Sequence, residues 1–475
     1  LVADSSALAE QLVGDVLASA FDSAGQRCSA LRLLCLQEDG AERVVTMIKE
    51  AMREWVMGNT DRMHTDVGPV IDEGARRQIE QHIARMQSEG QRVTRLARDE
   101  SAGQGCFVMP ALIEIDSITR LQREVFGPVL HVLRYRREQL GEVLDAINAT
   151  GYGLTFGVHS RIDETIAQVT QKVQAGNLYV NRNVIGAVVG VQPFGGMGLS
   201  GTGPKAGGPL YLYRLLQASQ AQGNLALAAL PAMPLSRAGL PAGAGAGAGE
   251  NASANAGASG SAASATAGES AALRALQSLE KALQGQALAA LAGWHSSGDG
   301  VRAAAACEHY RAHSALGQVF TLPGPTGESN RYRLLPRGAV WAAPQTALGL
   351  IHQVAAALAS GNPCWLQAPE KNSPVAQALA ALPPEVQAFV QTRSTEQLLA
   401  EVHLSAMLFE GDGDALQALL PRLTERPGAI VRVENLSAAQ LASGALYDVS
   451  ALMHEQSIST NTAAAGGNAQ LMTMG

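Results

Sequence analysis

The sequence has little cysteine, no long apolar run and no excess of positive charge. Its 475 residues include 5 cysteines. Cys28, Cys35, Cys106, Cys307 and Cys364 form no Cys-x-x-Cys pair. That spacing offers neither a disulfide framework nor a zinc site, and it suits a reducing compartment. The histidines are as scattered: His64, His82, His131 and His159 lack metal-ligand spacing and read as surface or packing residues. No metal is expected. No stretch is apolar for long enough to span a bilayer, and no signal peptide is legible. A net charge of −7 gives no reason to expect nucleic-acid binding. An initiator Met is also missing. Leu1-Val2-Ala3-Asp4 reads as the end of a strand entering a helix, so the chain is expected to be part of a longer one.

What is present suits a globular protein of two or three domains, with 47% hydrophobic and 16% charged residues. Leu8, Leu12, Val13, Val16 and Leu17 predict a helix over Ser5–Ala20, with Asp4, Ser5 or Ser6 as N-cap. Strands are expected at Ala30–Leu36, Cys106–Ile115, Val129–Tyr135, Thr155–His159 and Asn177–Val180. Helices are expected at Arg43–Val56, Glu73–Gln87, Gln139–Ala149 and Glu164–Gln174. This alternation predicts an α/β fold with a largely parallel sheet. Pro241–Ser270 has almost no large apolar side chain and reads as a flexible Gly/Ala/Ser linker. Apolar periodicity returns at Leu273, Leu276, Leu279 and Leu283. Short strands are then expected at Phe320–Leu322, Val340–Trp341, Cys364–Leu366, Ala406–Phe409 and Ala429–Val433, which makes a second α/β domain.

The segment that carries chemistry is Phe21–Ala30 (FDSAGQRCSA). Cys28 follows a turn of small residues (Ser23, Ala24, Gly25) and precedes Ser29 and Ala30, so the thiol has access and nearby backbone N–H groups. The other four cysteines take the ordinary reading of a small buried hydrophobe. Three further segments follow in order: Glu124–Val129 (EVFGPV), Gly176–Asn181 (GNLYVN) and Pro193–Gly196 (PFGG).

Together these segments resemble the aldehyde dehydrogenase superfamily. Within it they are similar to glutamate-semialdehyde (pyrroline-5-carboxylate) dehydrogenases, as found in bifunctional proline-utilisation proteins of bacteria. The resemblance covers Leu1 to about Leu216 closely and the remainder more loosely. It implies that Cys28 is the nucleophile, attacking the aldehyde to give a thiohemiacetal and then a thioester that water hydrolyses to glutamate. It implies that Glu124 and Phe126 contact NAD, and that Ser29, Gly207 and Gly208 bind the substrate carboxylate. Outside that motif Glu124 would read as a solvated loop carboxylate and Phe126 as a core aromatic. The backbone N–H of Cys28 is a candidate oxyanion donor. Consecutive glycines can also form an anion-binding nest, and Lys205 beside them reads as a surface lysine.

The resemblance further implies a division into a partial catalytic domain (1–220), a linker (221–270), a degenerate nucleotide-binding-like domain (271–455) and a docking tail (456–475). In the second domain, Gln367 stands where the family has a lysine. Glu410 and Asp412 place carboxylates where a helix N-terminus would face pyrophosphate. The family's general-base glutamate, its oxyanion asparagine and its nucleotide-binding half would lie upstream of Leu1, so this chain alone is expected to be inactive. FAD belongs to a proline dehydrogenase domain further upstream in such proteins. The implied setting is a homo-oligomer in the bacterial cytoplasm, with peripheral membrane association of the parent left open. Two alternatives stand beside this reading: a structural and channel-closing module, and a dehydrogenase for another carboxylated semialdehyde.

Overall fold

The computed structural model describes residues 1–96, 105–201, 203–212, 260–284 and 298–463. Its first nine strands are β1 (Val2–Ala3), β2 (Leu33–Gln37), β3 (Arg92–Arg95), β4 (Ala111–Ile115), β5 (Val129–Tyr135), β6 (Tyr152–Gly153), β7 (Thr155–His159), β8 (Asn177–Val180) and β9 (Met197–Gly198). The later strands are β10 (Val319–Leu322), β11 (Glu328–Pro336), β12 (Ala339–Ala343), β13 (Cys364–Gln367), β14 (Val390–Arg393), β15 (Leu404–Glu410), β16 (Arg432–Leu436) and β17 (Met453–Asn461).

Ten of them form one sheet in the order β10-β11-β17-β8-β7-β1-β2-β5-β4-β3. From β17 through β4 every pairing is parallel. The central strands are near-continuous apolar runs because helices cover both faces. In β2, for example, Leu34, Cys35 and Leu36 are all buried. The helix Ala9–Phe21 turns Leu12, Val13, Val16 and Leu17 onto this core. Five further strands form an all-parallel sheet in the order β14-β13-β12-β15-β16. Against it packs the helix Ala347–Ala359, every residue of which is buried, His352 and Gln353 included.

Several expectations are corrected. The first helix begins at Ala9, after Leu8 and without a side-chain cap. Asp4 instead accepts hydrogen bonds from the Ser6 N–H and the Ser160 hydroxyl. The strand expected at Cys106–Ile115 starts only at Ala111, since Pro110 has no N–H to give a ladder. Residues 221–259 of the expected linker lie outside the described residues, and 260–270 belong to the helix Gly260–Gln284.

The pair β11–β17 was not foreseen as a unit. It is antiparallel over nine residue pairs, from Glu328↔Asn461 to Pro336↔Met453. β17 then runs parallel to β8, Ser457 opposite Asn177 and Thr460 opposite Val180. It crosses the expected boundary at 455/456. Of the expected docking tail, 456–475, only the part to Ala463 is described.

Candidate active site

Cys28, Phe126 and Gly176 each lie just before the amino end of a parallel strand: β2, β5 and β8. One end of the sheet therefore gathers the segments singled out in the sequence. Ahead of Cys28 the backbone makes a left-handed turn, with φ of +57°, +54° and +65° at Ser23, Ala24 and Gly25. For the two residues that are not glycine this costs about 1–2 kcal/mol each. Gly25 is required: a Cβ there would lie 2.2 Å from the Gly127 carbonyl oxygen and 2.8 Å from that of Ala20.

The turn is fastened by Arg32, a residue the sequence reading passed over. Its guanidinium donates to the carbonyls of Gly25 (2.7 Å), Gly127 (3.3 Å) and Arg27 (3.2 Å) and to Glu124 Oε1 (3.2 Å). It also lies 4.8 Å from the centroid of the Phe126 ring. One side chain thus ties the thiol turn to the Glu124–Pro128 segment. Its signal in the sequence was only its place, four residues after Cys28.

Cys28 is exposed, whereas Cys35, Cys307 and Cys364 are buried and Cys106 is half-buried. Burial raises the Cys35 thiol to about 11 and that of Cys364 to about 12, which makes both inert as nucleophiles. Ser29 is buried beside the exposed thiol. Glu124 keeps about half of its side chain exposed, 55%, while paired to Arg32. Phe126 is 44% exposed, with the guanidinium on one face of the ring.

Beneath Arg32 lies a second arrangement. The Nε2 atoms of His82 and His131 are 2.9 Å apart, and His131 Nδ1 donates to the Arg32 carbonyl oxygen, also 2.9 Å away. Burial drives both imidazoles down to about 4, so at neutral pH the pair is uncharged.

The glycine segment folds back onto the amino end of β8. Phe194 and Ala206 exchange two backbone hydrogen bonds. Lys205, expected on the surface, is only 2% exposed. Its ammonium donates to Asn177 Oδ1 (2.7 Å) and the Gly195 carbonyl (2.5 Å). Its backbone N–H donates to Glu455 Oε2 at 2.7 Å. Burial lowers the Lys205 pKa while the Glu455 carboxylate works against that fall. Gly207 has φ +66°. The Gly208 N–H is already held by the Lys205 carbonyl (3.0 Å), so the expected nest of two open amides is not formed.

In the second sheet the two carboxylates have separate places. Asp412 caps its own helix, Gly413–Thr424, by accepting from the Ala415 N–H. Glu410 is fully buried and reaches the N-terminus of the helix Ala347–Ala359. There it accepts from the Gln345 N–H (2.7 Å), the Thr346 N–H (2.9 Å) and the Thr346 hydroxyl (2.7 Å). Among the described residues no group of acidic, histidine and cysteine side chains could hold a metal. No helix among them is long and apolar enough to cross a membrane.

The profile of the aldehyde dehydrogenase family matches residues 1–220. The chain is 45% identical over 481 residues to the bifunctional protein PutA of Escherichia coli K12, covering 100% of this chain and 33% of that protein. It is 37% identical over 220 residues to a 1-pyrroline-5-carboxylate dehydrogenase of Geobacillus thermodenitrificans, covering 46% of this chain and 42% of that one. The solved structure of proline utilization A from Corynebacterium freiburgense covers 98% of this chain with a TM-score of 0.59 at 21% identity, 38% of its own length being matched. That last likeness is one of fold. The chain spans about a third of the length of the PutA relatives it matches.

Proposed function

We propose, from the match of residues 1–220 to the aldehyde dehydrogenase family profile, that the chain supplies the thiol and substrate side of a glutamate-semialdehyde dehydrogenase. The whole enzyme would oxidise the semialdehyde derived from pyrroline-5-carboxylate to glutamate, as part of a bifunctional proline-utilisation protein. The observation that carries this reading is the exposed Cys28 on a left-handed turn that Arg32 fastens to Glu124 and Phe126.

Cys28 adds to the aldehyde carbon, its proton leaving to a base, and the carbonyl oxygen becomes the oxyanion of a thiohemiacetal. The N–H of Cys28 makes no hydrogen bond among the described residues and faces the work of holding that oxygen. Glu124 and Phe126 would hold the nicotinamide end of NAD, which would supply the hydride acceptor for oxidation of the thiohemiacetal to a thioester. Water then cleaves the thioester, releasing the carboxylic acid and the thiol. The residues present fit the nicotinamide side of such a cofactor. Glu124 offers exposed carboxylate oxygen to ribose hydroxyls, and Phe126 offers an exposed ring face. Ser29 and the Gly207 amide grip the substrate carboxylate, while Gly208, without a side chain, permits its close approach.

A second reading, for the rest of the chain, is favoured by Glu410. A carboxylate held by three donors at a helix N-terminus stands where a phosphate would bind. Residues 271–455 then keep a nucleotide-binding architecture without taking a nucleotide and serve as a brace for the first sheet through β17.

The test is Cys28→Ser in the full-length protein that carries this chain. NADH formation from glutamate semialdehyde should fall by at least about a thousandfold with the oligomer intact. Retention of more than a tenth of the rate would remove Cys28 as nucleophile. A panel of aldehydes tests the substrate, and preference for one without a free α-amino acid would overturn the assignment.

A further inference from the structure

Glu455 lies on β17, about 250 residues from the glycine segment in sequence, yet it is built into that segment. It is 8% exposed. One carboxylate oxygen accepts the Tyr332 hydroxyl of β11 at 2.6 Å, the other the Lys205 backbone N–H at 2.7 Å. Lys205 is thus held on both sides: its N–H by Glu455, and its carbonyl by the Gly208 N–H at 3.0 Å. These bonds settle which way the peptides from Lys205 to Gly208 face. A Cβ at Gly208 would lie 3.2 Å from Glu455 Oε1, so the carboxylate also forms a wall of the glycine turn.

Neighbouring residues of β17 act on the same segment. The Ser457 hydroxyl donates to the Pro193 carbonyl at 2.9 Å, which also accepts from Asn177 Nδ2 at 2.9 Å. The Ser457 N–H donates to the Gly176 carbonyl at 2.8 Å. Lys205 is the other pole: its ammonium has only neutral acceptors, Asn177 Oδ1 and the Gly195 carbonyl. The nearby carboxylate of Glu455 supplies the opposing charge. A buried carboxylate with two donors and a buried ammonium with two acceptors are costly to place unless the geometry is held. The hydrogen bonds that offset this cost hold the loop in one geometry, and a fixed geometry is what a carboxylate-binding turn needs.

We propose that Glu455 is a positioning residue for the substrate: through the Lys205 peptide it sets the Gly207–Gly208 turn that receives the substrate carboxylate, so β17 tunes specificity in the first sheet. This rests on the assignment of Ser29, Gly207 and Gly208 to that carboxylate.

The experiment compares two aldehydes in the full-length protein, glutamate semialdehyde and propanal, which has no carboxylate. Glu455→Gln keeps the side-chain shape and removes the charge. Its KM for glutamate semialdehyde should rise about tenfold, with kcat and the propanal kcat/KM within twofold of wild type. Tyr332→Phe, a milder change at the other carboxylate oxygen, should shift the same KM about threefold and covers the case that the first variant fails to fold. An equal loss for both aldehydes, or an unchanged KM in both variants, overturns the proposal. Ser29→Ala separates this from the underlying assignment. If it raises the semialdehyde KM and Glu455→Gln does not, Glu455 loses its role and the carboxylate site stands. If Ser29→Ala leaves that KM unchanged, the carboxylate site itself is misassigned and the proposal falls with it.

Discussion

Replacing Glu410 by Ala should destabilise the second sheet and at the same time open it to phosphate. The carboxylate accepts three hydrogen bonds at 2.7–2.9 Å, two of them from backbone N–H groups at Gln345 and Thr346. It also sits so close to the first helical turn that a Cβ on Gly349 would come within 1.8 Å of Glu410 Oε2. Truncation leaves the N–H donors of the exposed Gln345 and the half-buried Thr346 without this partner, while the Thr346 hydroxyl can rotate to another acceptor. Because water reaches both, the loss sits at the low end of about 1–3 kcal/mol per donor, about 2 kcal/mol in all. For a unit of this size that lowers the melting temperature by roughly 4–8 °C. Glu410→Gln keeps the shape but weakens charged bonds to neutral ones, and should cost about 1 kcal/mol. The assay is thermal unfolding of the whole chain in an organic buffer and again with 50 mM phosphate. An anion that binds the vacated helix end with a Kd of about 1 mM would return about 2 kcal/mol to Glu410→Ala, and nothing to the wild type. Gly349→Ala, which displaces the carboxylate without removing it, should mimic the loss. The reasoning is refuted if Glu410→Ala melts with the wild type, or if both gain equally from phosphate.

Three further outcomes follow from the geometry. Acid should destabilise the fold well above the carboxylate range: burial holds His131, His159 and His352 down at about 4. The unfolded chain therefore binds protons first between about pH 6.5 and 4, and stability falls as pH falls, by up to about 3 kcal/mol per histidine. Asp15, raised to about 6 by burial, offsets part of this. Guanidinium midpoints at pH 7.5 and pH 5 should differ accordingly, and an equal or higher midpoint at pH 5 would contradict the assignment. Gly25→Ala should cut turnover by more than about a hundredfold, because the clash with Gly127 moves the thiol turn; near-normal kcat would show that the turn tolerates displacement. Arg32→Met should raise the KM for NAD more than that for the aldehyde, since it releases Glu124 and Phe126 together; an effect on the aldehyde alone would detach Arg32 from the cofactor side.

What could be read from the sequence follows from what each element rests on. β5, β7 and β8 were placed to the residue because buried parallel strands are short apolar runs with sharp ends. The thiol segment was legible because its small residues serve a steric need that no other composition meets: Gly25 sits against the carbonyl of Gly127. β11 and β17 were not legible as partners. Glu455, Gln456, Ser457 and Ser459 are all buried in β17, and a strand whose inward side chains are polar has no alternation to announce it. Their burial is satisfied by groups far away in sequence: Tyr332, Lys205, Arg333, Ala175, Pro193 and Arg182. Lys205 was misread for the same reason. A lysine in a Pro-Lys-Ala-Gly-Gly stretch looks solvent-facing until the strand that supplies its counter-charge is in place. The residues hardest to foresee are therefore those at the junction between the two halves of the chain. A buried polar network has meaning only as a whole, because each member is costly alone and favourable when every partner is present. That coupling is why a change at Glu455 is expected to be felt at Gly207, and why the C-terminal strand belongs to the same physical object as the thiol turn.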